Sequence, residues 1–285
     1  MASLKEIKNR IASVKSTLKI TSAMKLVSSA KLRKAQAAIE GMLPYQAALR
    51  ATLASLAASG NEKIEKYSKA REVHHVTLLC LASNSSLCSG FNANAVRAVR
   101  ERVAELRAAG VAVDVIAVGR KMVEAVRALG FPQRKDYSEL SAKPSYDEAA
   151  ALASSLADSF LDGKTDRVEL IYNHFVSTAS QKVVQEEFLP LTSPAGDSEN
   201  ALDDEYIIEP DRDSLLEILL PKTLKLKVYT VLLDSSAAEH AARTVAMQTA
   251  SDNAEDLLQE LSLEYNKGRQ QKITNELLDL AGGLA

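Results

Sequence analysis

Arg243-Thr-Val-Ala-Met-Gln-Thr-Ala-Ser-Asp-Asn-Ala-Glu-Asp-Leu-Leu-Gln-Glu-Leu261, continued through Tyr265-Asn-Lys-Gly268 to Ala285, decides the fold. Ala250, Ala254, Leu257, Leu261, Tyr265 and Gly268 follow a three-and-four spacing, which lines up one narrow apolar seam on a helix. Ile273, Leu277, Leu280 and Leu284 continue it on a slightly shifted seam. No proline interrupts the stretch, and Leu280-Ala-Gly-Gly-Leu-Ala285 carries no side-chain charge. A helix with so thin a stripe needs a partner helix rather than a broad core.

The other end of the chain supplies the partner. Residues 3 to 57 read as one long helix. Leu4, Ile7, Ile11, Val14 and Leu18 repeat at the same coiled-coil spacing. Beyond Leu18 the seam is expected to shift to Met24, Val27 and Ala30, among small residues that admit a close neighbour. Pro44 is expected to kink the helix or begin a new segment. At a rise of about 1.5 Å per residue this helix would span roughly 80 Å, more than the ~30 Å of a small domain, so it is expected to protrude.

Charge supports an antiparallel pairing. The whole chain has a formal charge of −2, but residues 1–36 hold nine basic residues against one acid. Residues 245–285 hold seven acids against three bases. If position i faces a residue near 267 − i, Lys15 lies near Asp252, and Lys5 and Lys8 lie near Glu260 and Glu264. Exposed pairs of this kind contribute only ~0–1 kcal/mol each, so they set orientation more than stability.

Between the two ends the rhythm changes. Gly60-Asn61 and the polar run to Arg71 read as a linker. His75–Leu81 and Val113–Val118 are short, nearly continuous apolar runs, as in buried parallel strands. Helices are expected at Asn92–Ala109, Lys121–Leu129 and Tyr146–Leu161, with Gly110 and Gly130 closing the first two. Arg167–Phe175 reads as a strand that pairs with Lys182–Leu189 across Val176–Ser180. Thr192–Asp213 is a polar, acidic loop with a possible edge strand at Tyr206–Ile208. The last helix starts at the N-cap cluster Asp211–Ser214 and is interrupted by Pro221. Leu224–Val231 alternates like a strand; the competing reading, a helix continuous to the C-terminus and roughly 105 Å long, is preferred on the resemblance given below. The fold class is thus α/β: a long antiparallel coiled coil of the N- and C-terminal helices plus a Rossmann-like domain with a mostly parallel sheet. The expected division is 1–57 and 211–285 for the paired helices and 58–210 for the α/β domain and its linkers.

Several functions are excluded or weakened. The near-neutral charge does not suit nucleic acid. No run approaches the roughly 18 apolar residues of a membrane span. The N-terminus has no apolar signal segment, and its heptads are too regular for a discarded transit peptide. Cys80 and Cys88 form no disulfide framework or CxxC, which favours a reducing compartment. Gly163-Lys164-Thr165 resembles the end of a phosphate-binding loop, but position 158 is Asp where that loop needs glycine. Ser89-Gly90 is a weak anion cradle, and Cys88 is read as a small apolar filler. His74, His75, His174 and His240 are scattered, and no nucleophile–His–acid set stands out. No catalytic residue, cofactor or metal is therefore assigned.

Ile7-Lys-Asn-Arg-Ile-Ala-Ser-Val14 and Thr17-Leu-Lys-Ile-Thr-Ser-Ala-Met-Lys-Leu-Val-Ser-Ser-Ala-Lys31 resemble the N-terminal signature of the gamma subunits of F-type ATP synthases. Ser236–Met247, Asn253-Ala254 and Tyr265–Leu277 resemble their C-terminal signature, and Leu87–Asn92 the loop after the first central strand. The resemblance implies the central shaft of a rotary motor. It couples ion flow through the membrane sector to ATP synthesis or hydrolysis on beta subunits, and influences the ATPase activity, without being an enzyme by itself. The implied partners are the alpha and beta subunits of the catalytic ring, the epsilon subunit and the ring of c subunits. The implied location is peripheral, on the cytoplasmic face of the cell inner membrane, with no direct membrane insertion. Met24, Lys25, Arg33, Arg269, Gln270 and Thr274 correspond to shaft positions that contact beta or brace the helices. The family's loop usually carries Asp-Arg-Gly where this chain has Ser83–Ser86, and Ser89 replaces a glycine. The cysteine-bearing insertion of chloroplast members is absent, which implies a bacterial type without a disulfide switch. Two rivals remain at this point: a non-enzymatic coiled-coil adaptor of another assembly, and a small α/β nucleotide-binding enzyme with helical extensions.

Overall fold

A computed structural model describes residues 3–57, 62–133, 135–191 and 211–282. The elements run α1 (Leu4–Ala57), α2 (Glu62–Ser68), β1 (His75–Leu81), α3 (Phe91–Ala108), β2 (Ala112–Val118), α4 (Arg120–Ala128), α5 (Ser138–Ala142), α6 (Tyr146–Leu161), β3 (Arg167–Phe175), β4 (Gln181–Leu189) and α7 (Arg212–Gly282). The chain divides into two compact units. One comprises residues 1–29 and 243–285, the other residues 30–242.

The larger unit is built on a four-stranded sheet of order β2-β1-β3-β4. β1 pairs parallel with β2 and β3, and β4 returns antiparallel to β3. The expected mostly parallel sheet is present, and the β3–β4 hairpin turns where the sequence placed it. β1 is apolar almost throughout because both of its faces are covered. Val76, Leu78 and Cys80 enter a core with α3 and α4, while Leu79 and Leu81 enter a second core with α6 and α7. The split follows the two-residue period of a strand.

Two features position the carboxyl ends of β1 and β2. Gly119 has φ 92°, and a Cβ there would lie 2.0 Å from the Ala82 carbonyl oxygen, so β2 can turn into α4 only with glycine. The outer edge of β2 is met by Gln133. Its Oε1 accepts from Ala117 N–H at 2.8 Å, and its Nε2 donates to Val115 O at 2.8 Å. One side-chain amide thereby stands in for a neighbouring strand.

A charged group is buried on the α3 side of the sheet. Glu169 on β3 is 3% exposed and receives Arg102 through two nitrogens, at 2.9 and 2.7 Å, and Gln185 Nε2 at 3.0 Å. These hydrogen bonds to Glu169 hold the Arg102 guanidinium well above its ordinary pKa. Burial, with Glu169 nearby, pushes the Cys80 thiol well above its usual range, so it stays protonated and inert.

The structure departs from the expectations at several elements. α1 runs through Pro44 and α7 through Pro221 without a break. An interior proline costs a helix ~3 kcal/mol or more. Leu53 and Leu56 pack with Leu216 and Leu220 beside that second proline, and this burial offsets the cost. The expected linker contains α2, whose Ile64 enters the same cluster, and α5 was not anticipated at all. Leu224–Val231 is helical as preferred. It alternates because Leu224, Val228 and Val231 face the sheet core while Leu226 is buried on another side of the helix. The N-cap at Asp211 is present, accepting from Ser214 N–H at 2.8 Å. Tyr206–Ile208 lies outside the described residues. No described helix is long and apolar enough to cross a membrane.

Candidate functional site: the paired terminal helices

In the smaller unit the beginning of α1 and the end of α7 pair antiparallel. The Thr21 and Ser251 hydroxyls are 2.8 Å apart and buried. Lys25 Nζ donates to Gln248 Oε1, and Gln248 Nε2 donates onward to Asp252 Oδ1 at 2.6 Å. At the far end Gly268 meets Leu4 so closely that a Cβ would sit 3.1 Å from Leu4 Cδ2. Position i therefore faces a residue near 272 − i.

This corrects the expected register of 267 − i, a slip of about five residues. That expectation was anchored on charge. Among the described residues, Lys5, Lys8 and Lys15 make no ion pair with α7, because all three are exposed on the outer side of α1. Packing sets the register instead. Leu4, Ile7, Ile11, Val14, Leu18, Thr21, Lys25 and Ser28 form an unbroken heptad seam, each buried or half-buried. Opposite them, Met247, Ser251, Ala254, Leu258, Leu261, Tyr265 and Gly268 form the matching seam. Ser251 and Leu258 take the places expected for Ala250 and Leu257, the latter being 36% exposed.

Contrary to the expected shift after Leu18, the seam keeps its heptad course and becomes polar. Val27 is 57% exposed and Ala30 is also on the surface. Thr21 and Ser28 are buried in their stead. A hydroxyl pair contributes only ~0.5–1.5 kcal/mol net, but a misaligned register would bury both hydroxyls without partners. Polar seam residues of this kind specify alignment more than they add stability. Thr21, Ser251, Gln248 and Asp252 were missed as bracing residues. The signal that would have found them is the heptad count itself, continued past Leu18 regardless of polarity.

The six candidate residues fall in three places. Met24 and Lys25 are half-buried at the polar end of the seam, and Lys25 bonds across to α7. Arg33 is exposed on the part of α1 that belongs to the larger unit. Arg269, Gln270 and Thr274 are exposed on α7 beyond Gly268. Thr274 Oγ1 donates back to Gln270 O at 3.0 Å. Lys25 and Arg269 lie about 30 Å apart along the pair, given a rise of ~1.5 Å per residue, so they do not act at one point. Past Gly268, α7 continues without α1 beside it. Ile273, Leu277 and Leu278 are 47%, 62% and 64% exposed there. The side chains of Leu280 and Leu284 lie outside the described residues. An antiparallel helix pair with exposed apolar residues near one end suits contact with other proteins.

Comparison with known proteins agrees with this geometry. A family model described as ATP synthase matches residues 3–285. The ATP synthase gamma chain of Phocaeicola vulgatus is 52% identical over 99% of both chains. That of Bacteroides fragilis is 50% identical over 99% of both. Among solved structures, a chain of the Euglena gracilis mitochondrial ATP synthase superposes with a TM-score of 0.68 at 22% identity, covering 99% of this chain and 93% of that one. At that identity the likeness bears on the fold.

Proposed function

Because the chain belongs to the ATP synthase gamma-chain family, we propose that it is the central-stalk rotor of an ATP synthase. It couples ion flow through the membrane sector to ATP synthesis or hydrolysis at the beta subunits, and it influences ATPase activity. Its partners are the alpha–beta ring, the epsilon subunit and the c ring. Catalysis belongs to beta, and this subunit is not an enzyme by itself. It sits peripherally at the cytoplasmic face of the cell inner membrane. Functionally, residues 1–57 and 211–285 form the shaft and 58–210 the domain that receives the drive.

The observation that carries this reading is the zipped pair of terminal helices. Torque requires an element that resists sliding. The pair is held in one register from Leu4–Gly268 to Lys25–Gln248 by a heptad seam, a buried hydroxyl pair and the half-buried Lys25–Gln248 bond. Rotation also requires contacts that break repeatedly, which favours the exposed Arg269, Gln270 and Thr274 as touching beta weakly. Met24 and Lys25 brace the helices, and Arg33 meets the ring from α1. The family favours the rotor over a coiled-coil adaptor or a nucleotide-binding enzyme.

The test is purification and reconstitution of the assembly with the tagged full chain. Alpha, beta and epsilon subunits should copurify, and ATP-driven proton pumping by membrane vesicles should require this chain. Recovery of none of these subunits, or pumping without the chain, refutes the proposal.

A further inference from the structure

Within the larger unit, α7 is covered on every side between Val231 and Ala242. A surface helix normally hides one stripe. Here Ala237, Ala238, Ala241 and Ala242 are all at most 3% exposed, although they point in different directions around the helix. One wall is α1, whose Leu32 and Ala35 pack on Ala237 and Ala241. A second wall, about 100° further round the helix, is the Ser83–Gly90 loop and the start of α3, whose Cys88 and Phe91 pack on Ala238 and Ala242. Phe175, at the end of β3, touches both clusters.

Directional bonds accompany the packing. Asp234 Oδ1 on α7 accepts from Phe175 N–H at 2.9 Å, and its Oδ2 bonds His174 Nδ1 at 2.6 Å. The loop wall is itself stiffened. Asn92 Oδ1 accepts from Ser83 N–H at 3.0 Å, and Asn92 Nδ2 donates to Ser85 O at 3.2 Å. Asn84 ties the loop to its neighbours by donating to Ser138 O at 2.6 Å and accepting from Arg120 N–H at 2.9 Å.

On the rotor reading, force must pass between this domain and α7. We infer that the Ser83–Phe91 loop, Phe175 and Asp234 form a grip that prevents α7 from rolling in the domain, with Asp234 and Asn92 as its positioning residues. Rolling α7 by one residue, about 100°, would in one sense replace Ala238 with Glu239 against Cys88 and Phe91; in the other sense Ala237 takes that place, and either sense breaks both bonds of Asp234. Burying the Glu239 carboxylate against an apolar wall is strongly unfavourable. The grip gives the serine-rich loop a mechanical task.

The test uses the complete assembly in membrane vesicles with the parent chain, Asp234→Ala, Asp234→Asn and Asn92→Ala. Failure of the parent to support pumping would count against the rotor reading, not the grip. With a working parent, Asp234→Ala and Asn92→Ala should keep ATPase within about twofold while protons pumped per ATP fall at least about threefold. Asp234→Asn retains an acceptor for Phe175 N–H and should recover most of the loss. Unchanged pumping per ATP, or a fall that only tracks the amount of chain assembled, overturns the grip. If Asp234→Ala does not assemble, Ala238→Cys offers a second route, because oxidation can join it to Cys88. The joined complex should pump as well as the reduced one. Loss on oxidation that a reductant reverses would show that wall and helix must part, and would refute the inference.

Discussion

Oxidising a Thr21→Cys/Ser251→Cys variant should join the two terminal helices covalently. The two hydroxyl oxygens are 2.8 Å apart, so sulfurs at these places need to close by less than ~1 Å to reach a disulfide bond of about 2.0 Å. The bond would span a sequence separation of 230 residues. Chain-entropy arguments put the ceiling of its stabilisation near 5 kcal/mol for such a loop, less any strain. The control is Lys15→Cys/Asp252→Cys, the pair that charge complementarity would place together. In the observed register Asp252 faces a position five residues from Lys15, about 7.5 Å along the axis, beyond bridging reach. Non-reducing electrophoresis after mild copper-catalysed oxidation reads the crosslink, and the urea midpoint with and without reductant reads the stabilisation. The first pair should close rapidly and raise the midpoint, and the control should do neither. Equal crosslinking of the two pairs, or closure of the control alone, would refute a register set by packing.

Arg102→Ala should destabilise the larger unit by about 3–5 kcal/mol, because it strands the buried Glu169 carboxylate. Chemical denaturation of Arg102→Ala beside Arg102→Met/Glu169→Gln checks this, and the double variant should lose less. Gly119→Ala forces a side chain into φ 92° and against Ala82 O, and should cost at least ~2 kcal/mol in the same measurement. Burial alone would raise the Asp166 pKa, but the backbone amides of His74 and His75 overcome this and hold it below the ordinary 3.8. A depressed carboxylate stabilises the fold above its unfolded pKa and loses that contribution as pH falls through its folded value. The parent should therefore exceed Asp166→Asn in urea midpoint at pH near 7, and the gap should narrow at lower pH. A gap that widens in acid would contradict the assignment.

Much of this architecture was legible because it rests on periodicity. Ile7, Ile11, Val14 and Leu18 announce a seam, and the double-sided burial of β1 shows in its unbroken apolar run. The register was not legible from charge, because Lys5, Lys8 and Lys15 lie outside the seam and exposed pairs contribute little. The polar seam at Thr21 and Ser28 escaped a search tuned to apolar residues. α2 was hidden because only Ile64 and Tyr67 of its seven residues pack on the cores, in an otherwise polar, charged segment. Pro221 misled because local propensity costs only a few kcal/mol, and the leucine packing beside it outweighs that cost. Among the candidate site residues, Lys25 showed its crossing bond only once Gln248 was placed opposite.

The amide of Gln133 has one more consequence. Where no described strand pairs with the outer edge of β2, it supplies one donor and one acceptor, and hydrolysis to a carboxylate would leave two acceptors. An oxygen would then confront the carbonyl of Val115, and the rim of the sheet would lie open to other chains. A slow chemical ageing reaction at one side chain would thus convert a well-behaved subunit into an adhesive one, with every residue of its core intact.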